Sequence, residues 1–200
     1  MTFLRRLGAL LDRERRFAGL RVVVIAAIVM AAARGYREPH PYPISHWLLD
    51  WRHGLVKRGF VGTLVSPLYA WKAPSEVGDV VTTLSLLVLV AALVALAVGA
   101  LRLARSATRP PDEAMLGGAA LVLASSPLPV SMAYTAGFFD RFLELATLGA
   151  VAALARRRFA TIPILVCAGV LVHELFLLYG LPVLLFAVLV SSVKPGEPVD

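Results

Sequence analysis

Charge is what this 200-residue chain has little of: 16% of its residues are Asp, Glu, Lys or Arg, against 58% hydrophobic ones. A soluble domain has about a quarter charged and about half apolar residues, so an ordinary water-soluble globule is a poor fit. Cysteine is scarcer still. Cys167 stands alone inside an apolar block, which excludes an internal disulfide and leaves the redox compartment illegible. Acids are thinnest where the chain is most oily. Between residues 161 and 193 the only charged side chain is Glu174.

What is present is a series of apolar blocks approaching the length of a membrane span. The chain therefore reads as all-α, a polytopic transmembrane helix bundle forming a single integral membrane domain over residues 1–200. The net charge of +7 does not point to nucleic acid. Arginines sit just outside the apolar blocks (Arg5, Arg6, Arg13, Arg15, Arg16; Arg102, Arg105, Arg109; Arg156, Arg157, Arg158), as the positive-inside rule requires. The expected partner is the lipid bilayer. An excess of Arg over Lys and abundant Ala suggest a GC-rich bacterial genome, hence an inner membrane.

Residues 1–21 carry six arginines and two acids among spaced apolar positions, the pattern of a cytoplasmic amphipathic segment at the membrane surface. Residues 22–33 are apolar and, with 17–20 added, just long enough to span. A basic start, an apolar core and three alanines at 31–33 also fit a cleavable signal peptide; an uncleaved first helix is the preferred reading. Residues 34–79 form an outer loop, and 80–193 a transmembrane bundle. Within it 80–103 returns inside and 114–137 goes out, kinked by Pro127 and Pro129. Residues 140–155 come back, 161–179 go out, and Gly180 with Pro182 breaks the helix before a short last segment. That makes about six membrane segments with a cytoplasmic N-terminus.

The outer loop nevertheless holds six basic residues, Arg34, Arg37, Arg52, Lys57, Arg58 and Lys72, which insertion alone does not place there. In the stretch YPISHWLLDWRHGLVKRGFVGTL, Ser45 is expected to cap an interfacial helix ending at Gly54. That helix would put Trp47, Leu48 and Trp51 at headgroup depth and His46, Asp50 and His53 on another face. Those three could hold a divalent metal, although a solvated polar face is the commoner use and no cofactor is expected. Beyond them Gly54, Gly59 and Gly62 allow close backbone approach, and Lys57 with Arg58 suits a phosphate.

Two further clusters stand out. In AGFFDRFLELA, Asp140 and Arg141 mark the outer end of a helix, with Glu144 one turn deeper. In LVHELFLLYGLP, His173 and Glu174 belong to the outer third of their helix, where an ionised acid is costly and seldom idle. The pair evokes the zinc-protease motif H-E-x-x-H, but Leu177 occupies the second histidine's place. By topology Asp50, Lys57, Arg58, Asp140, Arg141, His173 and Glu174 all lie on the outer side.

The segments DWRHGLVKRGFVGTL, GFFDR and LVHELFLLYGLP resemble pieces of uncharacterised bacterial multi-pass membrane proteins, which in turn resemble the GT-C class of glycosyltransferases. The resemblance covers about half the chain. It implies an outer-face enzyme using a polyprenyl-phosphate-linked sugar, with Asp50 as base. By the same resemblance His173 and Glu174 would line the site near the lipid carrier, and Lys57 with Arg58 would bind phosphate; Asp140 is a further catalytic candidate and Arg52 and Arg141 further phosphate candidates from their own place on the outer side. Members of that class are about twice as long and often carry Asp-x-Asp, which this chain lacks; a fragment or a minimal relative is implied. Two other classes fit the composition: a transporter or channel component, and a non-catalytic subunit with a membrane-protein partner, packing through Gly99, Gly117, Gly118, Gly149 and Gly169.

Overall fold

In an apolar surrounding each backbone amide must be satisfied within its own segment, and helices achieve this. The computed structural model describes residues 2–53, 59–107 and 110–192, and no strand occurs among the described residues. In chain order the helices are α1 (Thr2–Gly35), α2 (Pro41–Trp47), α3 (Gly59–Val65), α4 (Pro74–Arg105), α5 (Pro110–Ser125), α6 (Pro127–Tyr134), α7 (Asp140–Ala155), α8 (Thr161–Val172) and α9 (Phe176–Ser192). Short 3-10 turns occupy Trp51–His53 and Ser66–Leu68.

Among the described residues, three stretches are long and apolar enough to cross a membrane: Phe17–Gly35, Glu76–Arg105 and Pro111–Tyr134. Thr161–Val172 and Phe176–Ser191 are apolar but shorter. α1 runs unbroken from Thr2 to Gly35, so the basic amphipathic segment and the first apolar run share one helix.

The contacts divide into two compact units, Met1–Arg37 with Leu93–Ala136, and Glu38–Ala92 with Gly137–Asp200. In the first, α1 buries Val24, Ile28 and Ala32, one residue per turn, and packs on α5 and α6. Close approach is made possible by Gly35, where a Cβ would stand 2.8 Å from Val130 Cα. The Arg105 guanidinium lies 4.2 Å over the Phe17 ring. The expected proline kink is a clean interruption. Ser126 Oγ accepts the Leu128 N–H at 3.2 Å, and Pro127 follows as the first residue of α6, where its missing N–H costs nothing.

The second unit is built around Trp47, Val61, Val81, Phe139, Leu143, Val172 and Phe176. The expected helix from Ser45 to Gly54 does not form. α2 begins earlier, because Pro41 and Pro43 favour a first turn and His40 Nδ1 accepts the Tyr42 N–H at 3.3 Å. It ends at Trp47, and Ser45 lies inside it, donating to the Tyr42 carbonyl at 2.7 Å. His46 and Asp50 therefore do not share a helical face, and no metal-binding group of three His, Cys, Asp or Glu occurs among the described residues. Trp47 is not at the lipid interface but buried, its Nε1 donating to Gly137 O at 2.7 Å.

α3 packs against the end of α2 through Gly62, the glycine that close approach needs. A Cβ there would stand 2.7 Å from the carbonyl carbon of Leu49 and 2.9 Å from Trp47 O. These are backbone atoms and cannot swing aside. Gly62→Ala is expected to destabilise this unit by about 1–3 kcal/mol, the usual range for overpacking, seen as a lower thermal midpoint in detergent.

α7 ends in the expected arginine cluster with a Schellman pattern. Arg158 N–H donates to Ala153 O at 2.8 Å and Arg157 N–H to Leu154 O at 2.9 Å. That pattern puts Arg157 at φ 56°, a left-handed position that glycine fills without strain. The chain keeps a cation there instead. Arg157→Gly is expected to raise stability by up to about 1 kcal/mol in the same thermal measurement.

The last two helices correct the sequence reading. The break lies at His173–Leu175, not at Gly180–Pro182. His173 takes an extended conformation, φ −163° and ψ 131°. Its N–H donates to Gly169 O, closing α8, and its carbonyl accepts from Phe176 N–H, opening α9. Pro182 is accommodated inside α9. Gly180 serves packing rather than termination: a Cβ there would stand 2.6 Å from both Phe176 Cδ2 and Thr147 Oγ1.

Candidate functional site

Among the described residues of the second unit, the buried polar ones are His46, Asp50, Ser85, Arg141 and His173. Ser85 is satisfied by its own helix, donating to Val81 O at 2.8 Å. Of the other four, His46 borders the aromatic cluster. Phe139 and Phe142 set ring edges against Trp47, with centroids 5.5 and 5.6 Å away, and His46 lies 6.1 Å from Phe139. Asp50 follows Trp47 by three residues, Arg141 follows Phe139 by two, and His173 follows Val172 directly. The segments bearing Asp50, Arg141 and His173 are thus brought to one core, because Trp47, Phe139 and Val172 all pack into it.

Asp50 is the most enclosed acid of the set, its side chain 4% exposed. Its Oδ1 accepts the backbone N–H of Arg52 at 2.9 Å. Its Oδ2 accepts Arg52 Nε at 2.6 Å and pairs with Nη2 at 2.5 Å. This is a fork-like charge-assisted contact within a tight turn. The hydrogen bond to Asp50, and then its charge, hold the Arg52 guanidinium above its ordinary pKa. The turn is fixed from both sides. Trp51 N–H donates to Thr63 Oγ1 at 2.9 Å, and Tyr69 Oη donates to Trp47 O at 3.0 Å. Burial, then the charge of Asp50, pushes the Tyr69 phenol upward against a smaller opposing effect of Arg52. Neither Tyr69 nor Thr63 is a candidate on sequence grounds. Both become visible only when α3 folds back on the Asp50 turn.

On α7, Arg141 is buried and paired with Glu144, one turn on. Glu144 presents Oε1 to Arg141 Nη1, and its Oε2 is buried with no hydrogen-bond partner among the described residues. Arg141 thus meets a carboxylate, as the i, i+3 spacing leads one to expect. Asp140, the first residue of α7, is half-buried.

At the break, His173 Nδ1 accepts the Leu175 N–H at 3.1 Å. Glu174 Oε2 approaches the same nitrogen at 3.6 Å. The backbone N–H is the closer partner of this nitrogen, and the Glu174 carboxylate lies beyond hydrogen-bond reach of it. Glu174 itself is 48% exposed at the side chain, far more open than Asp50. Lys57 and Arg58, the expected phosphate pair, lie outside the described residues, as does the side chain of His53.

Comparison of the chain with protein-family models, with curated proteins and with solved structures gave no match.

Proposed function

We propose that the chain is a multi-pass enzyme of the inner membrane that transfers a sugar from a polyprenyl phosphate at the outer leaflet, in the manner of a GT-C-like glycosyltransferase or a part of one. The supporting observation is the burial of Asp50, Arg141 and His173 on segments whose apolar residues Trp47, Phe139 and Val172 share one core cluster, inside a helical unit with apolar helices. In this reading α7, α8 and α9 add to the three long spans, giving about six membrane segments with the N-terminus in the cytoplasm. Buried ionisable groups among apolar helices are typical of functional positions.

The Asp50–Arg52 pair gives the reading its chemistry. A donor phosphate competes for the exposed guanidinium of Arg52. The carboxylate so released takes the proton of an acceptor hydroxyl as that oxygen bonds to the anomeric carbon. The bond from the anomeric carbon to the phosphate oxygen breaks, and the lipid phosphate leaves with its charge balanced by cations. The test uses purified protein in liposomes supplied with a panel of radiolabelled polyprenyl-phosphate sugars and a membrane extract as acceptor. Label moving to acceptor material supports the reading. Intact donors throughout the panel count against it.

A second reading, a transporter component, is favoured by one observation. The chain interrupts its apolar helices at Ser126 and at His173, and broken helices are a recurrent transporter device. Solute- or proton-driven flux in the same liposomes without a lipid-linked donor would favour it.

A further inference from the structure

The expected interfacial helix, with Trp47 and Trp51 at headgroup depth, is not what the loop between α1 and α4 builds: Trp47 is 2% exposed. Yet one row of large apolar side chains in that loop does face outward. Leu64 is 63% exposed, Leu68 47% and Trp71 73%. They lie on α3, on the 3-10 turn Ser66–Leu68 and just beyond it. The opposite side of the same segment, Gly59, Val61, Gly62 and Tyr69, is buried.

The apolar stretch Gly59–Leu68 is too short to cross a bilayer, since ten helical residues reach about 15 Å and the hydrocarbon core is about 30 Å thick. It is also too apolar on its outer row to prefer water. Its position decides the occupant. Trp71 precedes by five residues Glu76, where the long apolar stretch Glu76–Arg105 begins. Lys72 approaches Glu76 one turn on, 3.9 Å apart, marking a polar level at the mouth of that span. A tryptophan beside a span's first polar level is where aromatic belts form.

We infer that α3, the Ser66–Leu68 turn and Trp71 form an interfacial anchor lying in the leaflet at which α4 begins, with Leu64, Leu68 and Trp71 inserted among lipid chains just below the headgroups. The anchor does more than hold the loop down. Thr63 accepts the Trp51 N–H, and Gly62 sits against the carbonyls of Trp47 and Leu49, so the segment is tied to the turn bearing Asp50 and Arg52. The depth of α3 therefore sets the depth of that turn. Arg52, 62% exposed at its side chain, is held by it near the level of lipid phosphates. The inference does not depend on sugar transfer.

The experiment is depth-dependent fluorescence quenching of the full chain in phosphatidylcholine liposomes, with Trp71 as the only tryptophan (Trp47→Phe, Trp51→Phe). Lipids brominated near the headgroup are expected to remove roughly half of the Trp71 emission, deeply brominated lipids less, and aqueous iodide little. Strong quenching by iodide with none by bromolipid would overturn the inference by placing Trp71 in water. Quenching by neither would also overturn it, by showing the face covered with protein. Because Trp47 is a packing residue, a second measurement keeps all three tryptophans: Leu68→Cys in a Cys167→Ser background, carrying a nitroxide. Accessibility to oxygen above that to a water-soluble nickel chelate supports the anchor, and the reverse order refutes it.

Discussion

Phe176→Ala is expected to be among the most damaging single substitutions in the chain. Phe176 is fully buried and its ring joins three helices. It fills the notch left by Gly169 on α8, where a Cβ would stand 2.7 Å from ring carbons, and by Gly180 one turn along its own helix, beside Thr147 of α7. Among the described residues of α9, Phe176, Gly180 and Leu184 are the buried ones, so its anchorage lies chiefly in this stripe. In the proposed multi-pass reading α8 and α9 lie in lipid, where the aqueous hydrophobic drive is absent and close packing carries association. The loss should therefore fall near the lower end of the about 3–5 kcal/mol found for such truncations. Gly180→Val should be at least as harmful, because Thr147 and the Phe176 ring leave its branches no room. SDS-titrated unfolding of both variants, with exposed Leu178→Ala as control, measures this. If Phe176→Ala falls within error of the control, the packing described for α8 and α9 is wrong.

The second large effect concerns Arg141. Its guanidinium is 6% exposed at the side chain and meets Glu144, whose Oε2 is already buried without a partner among the described residues. Removing one member of a buried pair leaves the other charge uncompensated, a change of about 3–5 kcal/mol in typical cases. Arg141→Met alone is thus expected to destabilise strongly. Arg141→Met with Glu144→Gln should recover most of the loss, because the pair vanishes together. The double-mutant cycle reads the coupling directly. Additive losses would show that Arg141 acts through other contacts.

How much of this was legible beforehand differs by element. The class was, because apolar blocks flanked by arginines leave few alternatives. α7 was legible to its ends, since Asp140 begins it and the arginine cluster follows it. The interruption near Pro127 was also readable, because proline cannot donate to the preceding turn. The break at His173 was not. Gly180 and Pro182 are the stronger punctuation on propensity alone, but the glycine is used to seat a ring, and the histidine closes one helix and opens the next. The same blind spot hid the start of α2: histidine is seldom counted as a cap, yet His40 Nδ1 and His173 Nδ1 both accept a helix-opening N–H. Ser45 was misread for the complementary reason, since a cap-forming residue inside a short helix can bond to its own preceding turn.

The candidate site was legible as a set of residues but not as a set of pairings. Asp50 and Arg52 are two positions apart, too close to face each other on a regular helix. They meet because α2 has already ended. The result turns Asp50 from a presumed open base into a clamped one, and Arg52 from one cation among several into its partner. On sequence alone Trp47 and Trp51 suit the membrane interface, because tryptophan often lies there. Burial of Trp47 against Phe139 passes that role to Trp71.

The most direct measurement is donor-dependent sugar transfer in liposomes by Asp50→Asn beside Asp112→Asn, an acid at the start of α5 outside the Asp50 unit. If the Asp50 turn is the reactive element, Asp50→Asn lowers the rate by about 100-fold or more while Asp112→Asn leaves it near the parent level. A parent protein that transfers sugar and an Asp50→Asn variant that transfers it equally well would contradict the role given to Asp50 and its partner Arg52.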